Sequence, residues 1–273
     1  MAATGERNGR WGALRRRFVT AGVGGPVLLA IVWLGGWPLW ALTWVLALVM
    51  SFEFSGLLFR RKLELPVWAI GTLATGILAA VALGWSMMPV IVGLFFLAAL
   101  FGLGGDDNQR GFMTGQSALF GALYIGGLVS FLPQIRGLPH GLPLTVFVLL
   151  TVWATDAAAY FVGNSYGRHR MVPRVSPGKT WEGSLAGLGG GMVAGLLLST
   201  WLVGALGPGL VVAIGIAVAS QLGDLVESNL KRFVDAKDAG AILPGHGGVL
   251  DRLDSALFAL PAAYYLLRGM GLS

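Results

Sequence analysis

Nine apolar windows, each close to the length of one membrane crossing, dominate this 273-residue chain. They fall at about 18–36, 38–59, 66–84, 87–104, 112–132, 142–163, 183–204, 207–226 and 253–270. A bilayer's hydrocarbon core is about 30 Å thick and takes about 20 helical residues to cross. That core holds no water, so backbone polar groups must pair within each segment, and such windows read as helices. Turn signals separate most of them: Gly35-Gly36-Trp37-Pro38, Leu65-Pro66, Met88-Pro89, Gly104-Gly105 and Gly207-Pro208. Only 12% of the residues are charged, against about 25% in soluble domains. The pattern predicts an all-α, polytopic membrane helix bundle of about nine transmembrane helices. It forms a single integral membrane domain over 1–273, with no extended soluble domain and no clear inverted repeat.

The basic residues predict an orientation. With the N-terminus cytoplasmic and the C-terminus outside, all of the 19 lysines and arginines except Arg136 and Arg268 fall on the cytoplasmic side. An error of one span would scramble this alternation, so the positive-inside rule supports both the count and the direction. The arginines at 7, 10, 15, 16 and 17 resemble the head of a signal peptide, but no convincing small-residue cleavage site follows, and the first span reads as retained. The net charge of +6 then reflects topology and attraction to anionic lipid headgroups. No nucleic-acid partner is needed to explain it. The chain has no cysteine, which excludes disulfides, thiolate metal sites and a cysteine nucleophile.

The acidic residues are one-sided too: none falls in a predicted outer loop. Glu53 and Asp156 lie within spans, each about seven residues from the cytoplasmic end and so roughly 10 Å deep at 1.5 Å per residue. Asp224 closes the eighth span, and Asp251 and Asp254 open the ninth. An ionisable group costs at least ~2.5 kcal/mol at the membrane centre, which makes such residues functional candidates. For Glu53 alone a snorkelling or helix-pairing role is the plain alternative. Five carboxylates meeting at one face mark a site open to the cytoplasm.

Residues 224–254 form the most polar stretch between two spans. Its first part continues the eighth helix, with Asp224, Ser228 and Lys231 on one face and Glu227 beside Lys231 at i+4. A break at Leu243-Pro244-Gly245-His246-Gly247-Gly248 precedes Asp251, Arg252, Asp254 and Ser255. Carboxylates from two helices at a wet membrane edge suit a hard divalent cation. Lys231, Arg232, Lys237 and Arg252 suit phosphate oxygens. The glycines at 245, 247 and 248 let backbone N–H groups approach a phosphate closely. Metal, basic clamp and glycine-rich loop together imply phosphoryl or nucleotidyl transfer. His246, with no second histidine nearby, suits a hydrogen-bonding turn residue better than a metal ligand.

A second polar island lies between the sixth and seventh spans. It runs from Asp156 past Tyr160-Phe161 to Ser176-Pro177-Gly178-Lys179-Thr180-Trp181-Glu182-Gly183. The plain reading is a basic loop with a helix N-terminus at Ser176-Pro177, where Lys179 and Thr180 could also bind an anion. Gly183, Gly187, Gly191 and Gly195 then form an i+4 stripe, which predicts close helix packing ahead of a homodimer face.

These residues resemble the phosphatidate cytidylyltransferases, also called CDP-diacylglycerol synthases. The family pattern stands here in order as Ser228, Lys231-Arg232, Lys237-Asp238, His246-Gly247-Gly248 and Asp251-Arg252-Leu253-Asp254. The Asp156 and Ser176–Gly183 elements resemble the family as well, so the likeness is strong over the C-terminal half. In the N-terminal half it rests mainly on span number and Glu53. Ala239 departs from the Ser that many relatives carry after Lys-Asp.

The resemblance implies transfer of CMP from CTP to phosphatidic acid, giving CDP-diacylglycerol and pyrophosphate. It implies magnesium as cofactor, with a second cation left open, and an inner-membrane site facing the cytoplasm. On this reading Asp224 and Asp251 bind metal, with Asp254 and Asp156 as further ligands. Lys231, Arg232, Lys237, His246, Arg252 and the Gly247-Gly248 backbone hold CTP, with Asp224, Lys231, Lys237 and Asp251 at the chemical centre. Lys179, with Ser176 or Thr180, orients the phosphatidate headgroup. One rival is a CTP-dependent lipid-alcohol kinase, which would release CDP instead of pyrophosphate. A transporter or lipid-binding scaffold is another, but it should place polar groups near the midplane and between repeats.

Overall fold

The computed structural model describes residues 22, 24–63, 65–103, 107–240, 242 and 247–272. Among these a helix stands in every predicted window. The first is α1 (Gly24–Leu34). It is followed by α2 (Gly36–Phe59), α3 (Val67–Ala82), α4 (Met87–Leu103), α5 (Asn108–Ala122) and α6 (Phe131–Arg136). The C-terminal half holds α7 (Gly141–Tyr166), α8 (Trp181–Leu198), α9 (Leu206–Phe233) and α10 (Leu250–Gly269). Five stretches are long and apolar enough to cross a membrane: Gly36–Phe59, Asn108–Arg136, Gly141–Tyr166, Trp181–Val203 and Leu206–Phe233. Phe95, Phe96, Leu197 and Trp201 project outward, an apolar exterior that water would not tolerate but lipid does. The chain is an integral membrane helix bundle.

Several window edges moved for identifiable reasons. The fifth window lengthens because Asp107 caps α5, its carboxylate accepting the Gln109 N–H at 2.9 Å. That helix then passes through a π turn at Leu123–Gly127 into α6. At this turn Gly126 lies against the Ala74 backbone of α3, where a Cβ would come within 2.5 Å of the carbonyl oxygen. At the far end of the bundle, Arg136 donates to the Val32 and Trp33 carbonyls at 2.8 and 3.2 Å. It thereby caps α1 with the charge a helix C-terminus favours.

The largest correction is a β-hairpin between α7 and α8. Strand β1 (Arg170–Val172) pairs antiparallel with β2 (Ser176–Thr180), matching Arg170 with Thr180 and Val172 with Ser176. The helix start expected at Ser176-Pro177 therefore lies four residues later. Thr180 is the cap, its hydroxyl accepting the Gly183 N–H at 3.1 Å. Strand pairing satisfies the residues before it, which local reading could not anticipate.

The glycine stripe is internal. A Cβ on Gly183 or Gly187 would strike α7, at the Ala159 and Thr155 carbonyls. On Gly191 or Gly195 it would come within 2.6 and 2.5 Å of the Ala217 and Ala213 methyls of α9. Close packing within the chain thus accounts for the stripe. Two apolar cores flank this region. One gathers Met50, Phe54, Ile70, Ile125 and Leu257, and the other Leu39, Phe147, Val148, Ile216 and Leu260.

Candidate active site

Polar side chains converge where α7, α9 and α10 meet the hairpin. Helix α9 supplies the central rail. Its helical spacing puts Glu227 and Lys231 on one face, and the Lys231 ammonium pairs with the fully buried Glu227 carboxylate. Lys231 also reaches Asp251 on the first turn of α10, at 2.7 Å. The Asp251 carboxylate accepts the backbone N–H groups of Ala239 and Gly248 as well, each at 2.9 Å. Sequence reasoning noted Glu227 only as a neighbour of Lys231. Its i+4 spacing was the available signal, but nothing local said that it would be buried.

Two turns earlier on α9, Asp224 pairs with Lys179 of β2 at 2.7 Å. Lys179 is steadied by the Gln221 carbonyl at 3.3 Å, and Ser228 donates to Asp224 at 3.3 Å. Gly223 removes the side chain that would separate α9 from α10, since a Cβ there would sit 2.4 Å from the Asp254 carbonyl oxygen. Asp254 and Asp156 therefore lie near Asp224, each within its electrostatic range. Ser255 links the two, donating its N–H to Asp254 at 2.7 Å and its hydroxyl to Asp156 at 3.2 Å. Asp156 is exposed, while Asp254 is buried.

The expected metal pair of Asp224 and Asp251 thus divides between two ion pairs, and Asp224 groups with Asp156 and Asp254. These acids form an all-oxygen donor set of the kind a hard divalent cation takes. The buried Glu227 carboxylate faces the Lys231 ammonium, which it shares with Asp251. The residues fit a magnesium-like ion in chemistry. Among the described residues no three acids already close into a cage, and Asp224 is held by Lys179.

The basic residues separate by role. Arg232 donates to the Val175 and Ala236 carbonyls, both at 3.1 Å, and ties the hairpin to the end of α9. Lys237 and Arg252 are exposed, and Ser176 is half-buried. Thr180, expected at the lipid headgroup, is buried with its hydroxyl committed to the α8 cap. The Gly248 N–H, expected to face a phosphate, is donated to Asp251. Gly247 takes a left-handed turn at φ 82. His246 and Gly245 lie outside the described residues.

Two side chains of the α2 end frame this connection. Arg61 donates to the Phe233 carbonyl at 2.6 Å, pairs with Asp235 at 3.1 Å and covers the Phe233 ring. It caps the C-terminus of α9, where Ala236 N–H returns to the Lys231 carbonyl and Asp235 turns left-handed at φ 53. Glu53 accepts the Val249 and Leu250 N–H groups at 2.9 and 2.8 Å, at the start of α10.

A model of the cytidylyltransferase family matches residues 15–270. The chain belongs to that family. Among curated cytidylyltransferases, it is 36% identical to the phosphatidate cytidylyltransferase of Brucella suis biovar 1, over 93% of this chain and 92% of the relative. It is 44% identical to that of Bacillus subtilis over 59% of each chain. To that of Staphylococcus haemolyticus it is 32% identical, over 93% and 99% respectively. The cytidylyltransferase match reaches well beyond the C-terminal motifs and takes in α2, with both Glu53 and Arg61.

Proposed function

We propose that the chain is a phosphatidate cytidylyltransferase of the inner membrane, with its site facing the cytoplasm. The observation that carries this is the convergence of Asp156, Asp224 and Asp254 with Lys179 and Lys231 at one end of the bundle. Relatives bearing that name align over nearly the whole chain. On this proposal the chain crosses nine times with its N-terminus inside and this end in the cytoplasm, a topology that the basic-residue distribution supports.

A phosphatidate phosphate oxygen attacks the α-phosphorus of CTP. The new P–O bond forms as the bond from α-phosphorus to the bridging oxygen breaks, and pyrophosphate leaves. The monoester's second pKa is about 6, so the attacking oxygen is already largely deprotonated and needs no strong base. Lys179 is paired with Asp224 and Lys231 with Glu227 and Asp251 in the resting site, and each lysine can exchange an acid for a phosphate oxygen. Arg252 and Lys237, both exposed, meet the triphosphate from the aqueous side. Lys179 and Ser176 on β2 receive the lipid phosphate. Asp224, Asp254 and Asp156 would hold magnesium. When bound, that ion offsets the repulsion between two anions and stabilises the departing pyrophosphate. Diacylglycerol chains stay in the bilayer because each exposed CH₂ costs ~0.8 kcal/mol.

Purified protein given CTP labelled in its cytidine, phosphatidic acid and magnesium should yield labelled CDP-diacylglycerol and unlabelled pyrophosphate. With γ-labelled CTP and diacylglycerol in place of phosphatidic acid, release of CDP with a newly phosphorylated lipid would instead establish the kinase reading. Asp224→Asn should lower turnover by about 100-fold or more, the equivalent of about 3 kcal/mol of barrier. Near-normal turnover would remove Asp224 from the centre.

A further inference from the structure

We infer that Glu53 is a positioning residue, which holds the start of α10 and through it the acids and Arg252 of the active site. Glu53 sits in the middle of the N-terminal half, 3% exposed. Its two oxygens each accept one backbone N–H from residues almost 200 positions away, Val249 at 2.9 Å and Leu250 at 2.8 Å. A helix N-terminus carries orphan donors and partial positive charge, so this carboxylate is both partner and counter-charge. Burying a carboxylate is costly unless it is fully hydrogen-bonded. Here the bonds go to the backbone that begins one residue before Asp251's own helix.

The glycines nearby are explained by the same contact. A Cβ on Gly240 would come within 2.5 Å of a Glu53 oxygen, and one on Gly248 within 2.8 Å. The Glu53 side chain therefore packs between Gly240, midway along the α9–α10 connection, and Gly248 at its α10 end. With Gly248 N–H on Asp251, three successive amides at the head of α10 are taken by carboxylates. Gly248 thus admits Glu53 where a glycine-rich loop suggested room for phosphate. Arg61, capping α9 from the same end of α2, holds the opposite end of the connection. Helix α2, through Glu53, and the turn that follows it, through Arg61, together grip the catalytic connection.

Glu53→Gln keeps the shape and one acceptor but presents an NH₂ group to the second amide. In full-length protein in lipid nanodiscs, amide hydrogen exchange over residues 247–252 should accelerate, with the α7–α8 hairpin unchanged. This readout needs no activity, whereas the kinetic arm rests on the proposed function. There, kcat/KM for CTP should fall by about 10- to 100-fold, the range for residues that orient a metal's ligands. The phosphatidate KM should hold within about twofold, a split that general destabilisation does not produce. Glu53→Asp should recover part of the loss. Gly240→Ala, which leaves Glu53 in place but displaces its carboxylate, should reproduce the Gln phenotype, and the double variant should be no worse than either single one.

A lower melting temperature with exchange at 247–252, kcat and both KM values unchanged would overturn the inference. So would a Gly240→Ala protein with normal kcat/KM. If wild-type protein makes no CDP-diacylglycerol, the functional reading fails, and hydrogen exchange alone decides the role of Glu53.

Discussion

Lys231 shows how much depends on one side chain. It is a single ammonium between two buried carboxylates, Glu227 and Asp251. Removing either acid leaves a neutral pair, whereas removing the lysine leaves two acids facing each other. Breaking a buried pair in that way costs about 3–5 kcal/mol. Lys231→Met should therefore destabilise the protein far more than Glu227→Gln, measured by urea or thermal unfolding in one detergent. Equal losses would show that Lys231 does not balance both charges. At this scale the sequence was informative about types and spacing: Asp224, Ser228 and Lys231 do share a face of α9. It was silent about partners. Lys179 meets Asp224 across 45 positions, and Thr180, its neighbour, turns inward to cap a helix. Alternation along a strand separates these two neighbours, and the strand itself exists only by pairing with β1.

Among the elements, α8 is the clearest case of pattern becoming contact. Its i+4 glycines were legible as a packing stripe because 3.6-residue periodicity brings them onto one face. Which neighbours they meet, α7 and α9, was not. Gly191→Ala places a methyl group within 2.6 Å of the Ala217 Cβ and should cost about 1–3 kcal/mol, as overpacking does. Gly189→Ala, in open space on the same helix, should instead gain about 0.5–1 kcal/mol from helix propensity. Paired melting curves check the contrast, and a loss of similar size in both would place the contact elsewhere. The end of α9 taught the complementary lesson. The apolar window stops at 226 and the helix continues, as the spacing of Asp224, Ser228 and Lys231 predicts, but its end at Phe233 is set by Arg61 and the Asp235 turn, which satisfy its last carbonyls.

At the scale of the whole molecule, the polar chemistry gathers at one end of the bundle and Arg136 caps α1 at the other. The lack of cysteine makes the orientation directly measurable. A membrane-impermeant maleimide should label Lys62→Cys from the cytoplasmic side only and Trp85→Cys from the outside only. The opposite pattern would invert the proposed topology. Hydropathy and charge bias determine the membrane class, the helical windows and the polar end, because solvation by lipid acts on each segment separately. The motif spacing from Ser228 to Asp254 points to the chemistry for a related reason, since all its parts lie on one short length of chain. The tertiary structure alone decides that Asp224 joins Asp156 and Asp254, that Lys231 neutralises Asp251, and that Glu53 holds the head of α10. Those contacts join residues remote in sequence, and their free energy exists only once the helices have packed and excluded solvent from between them.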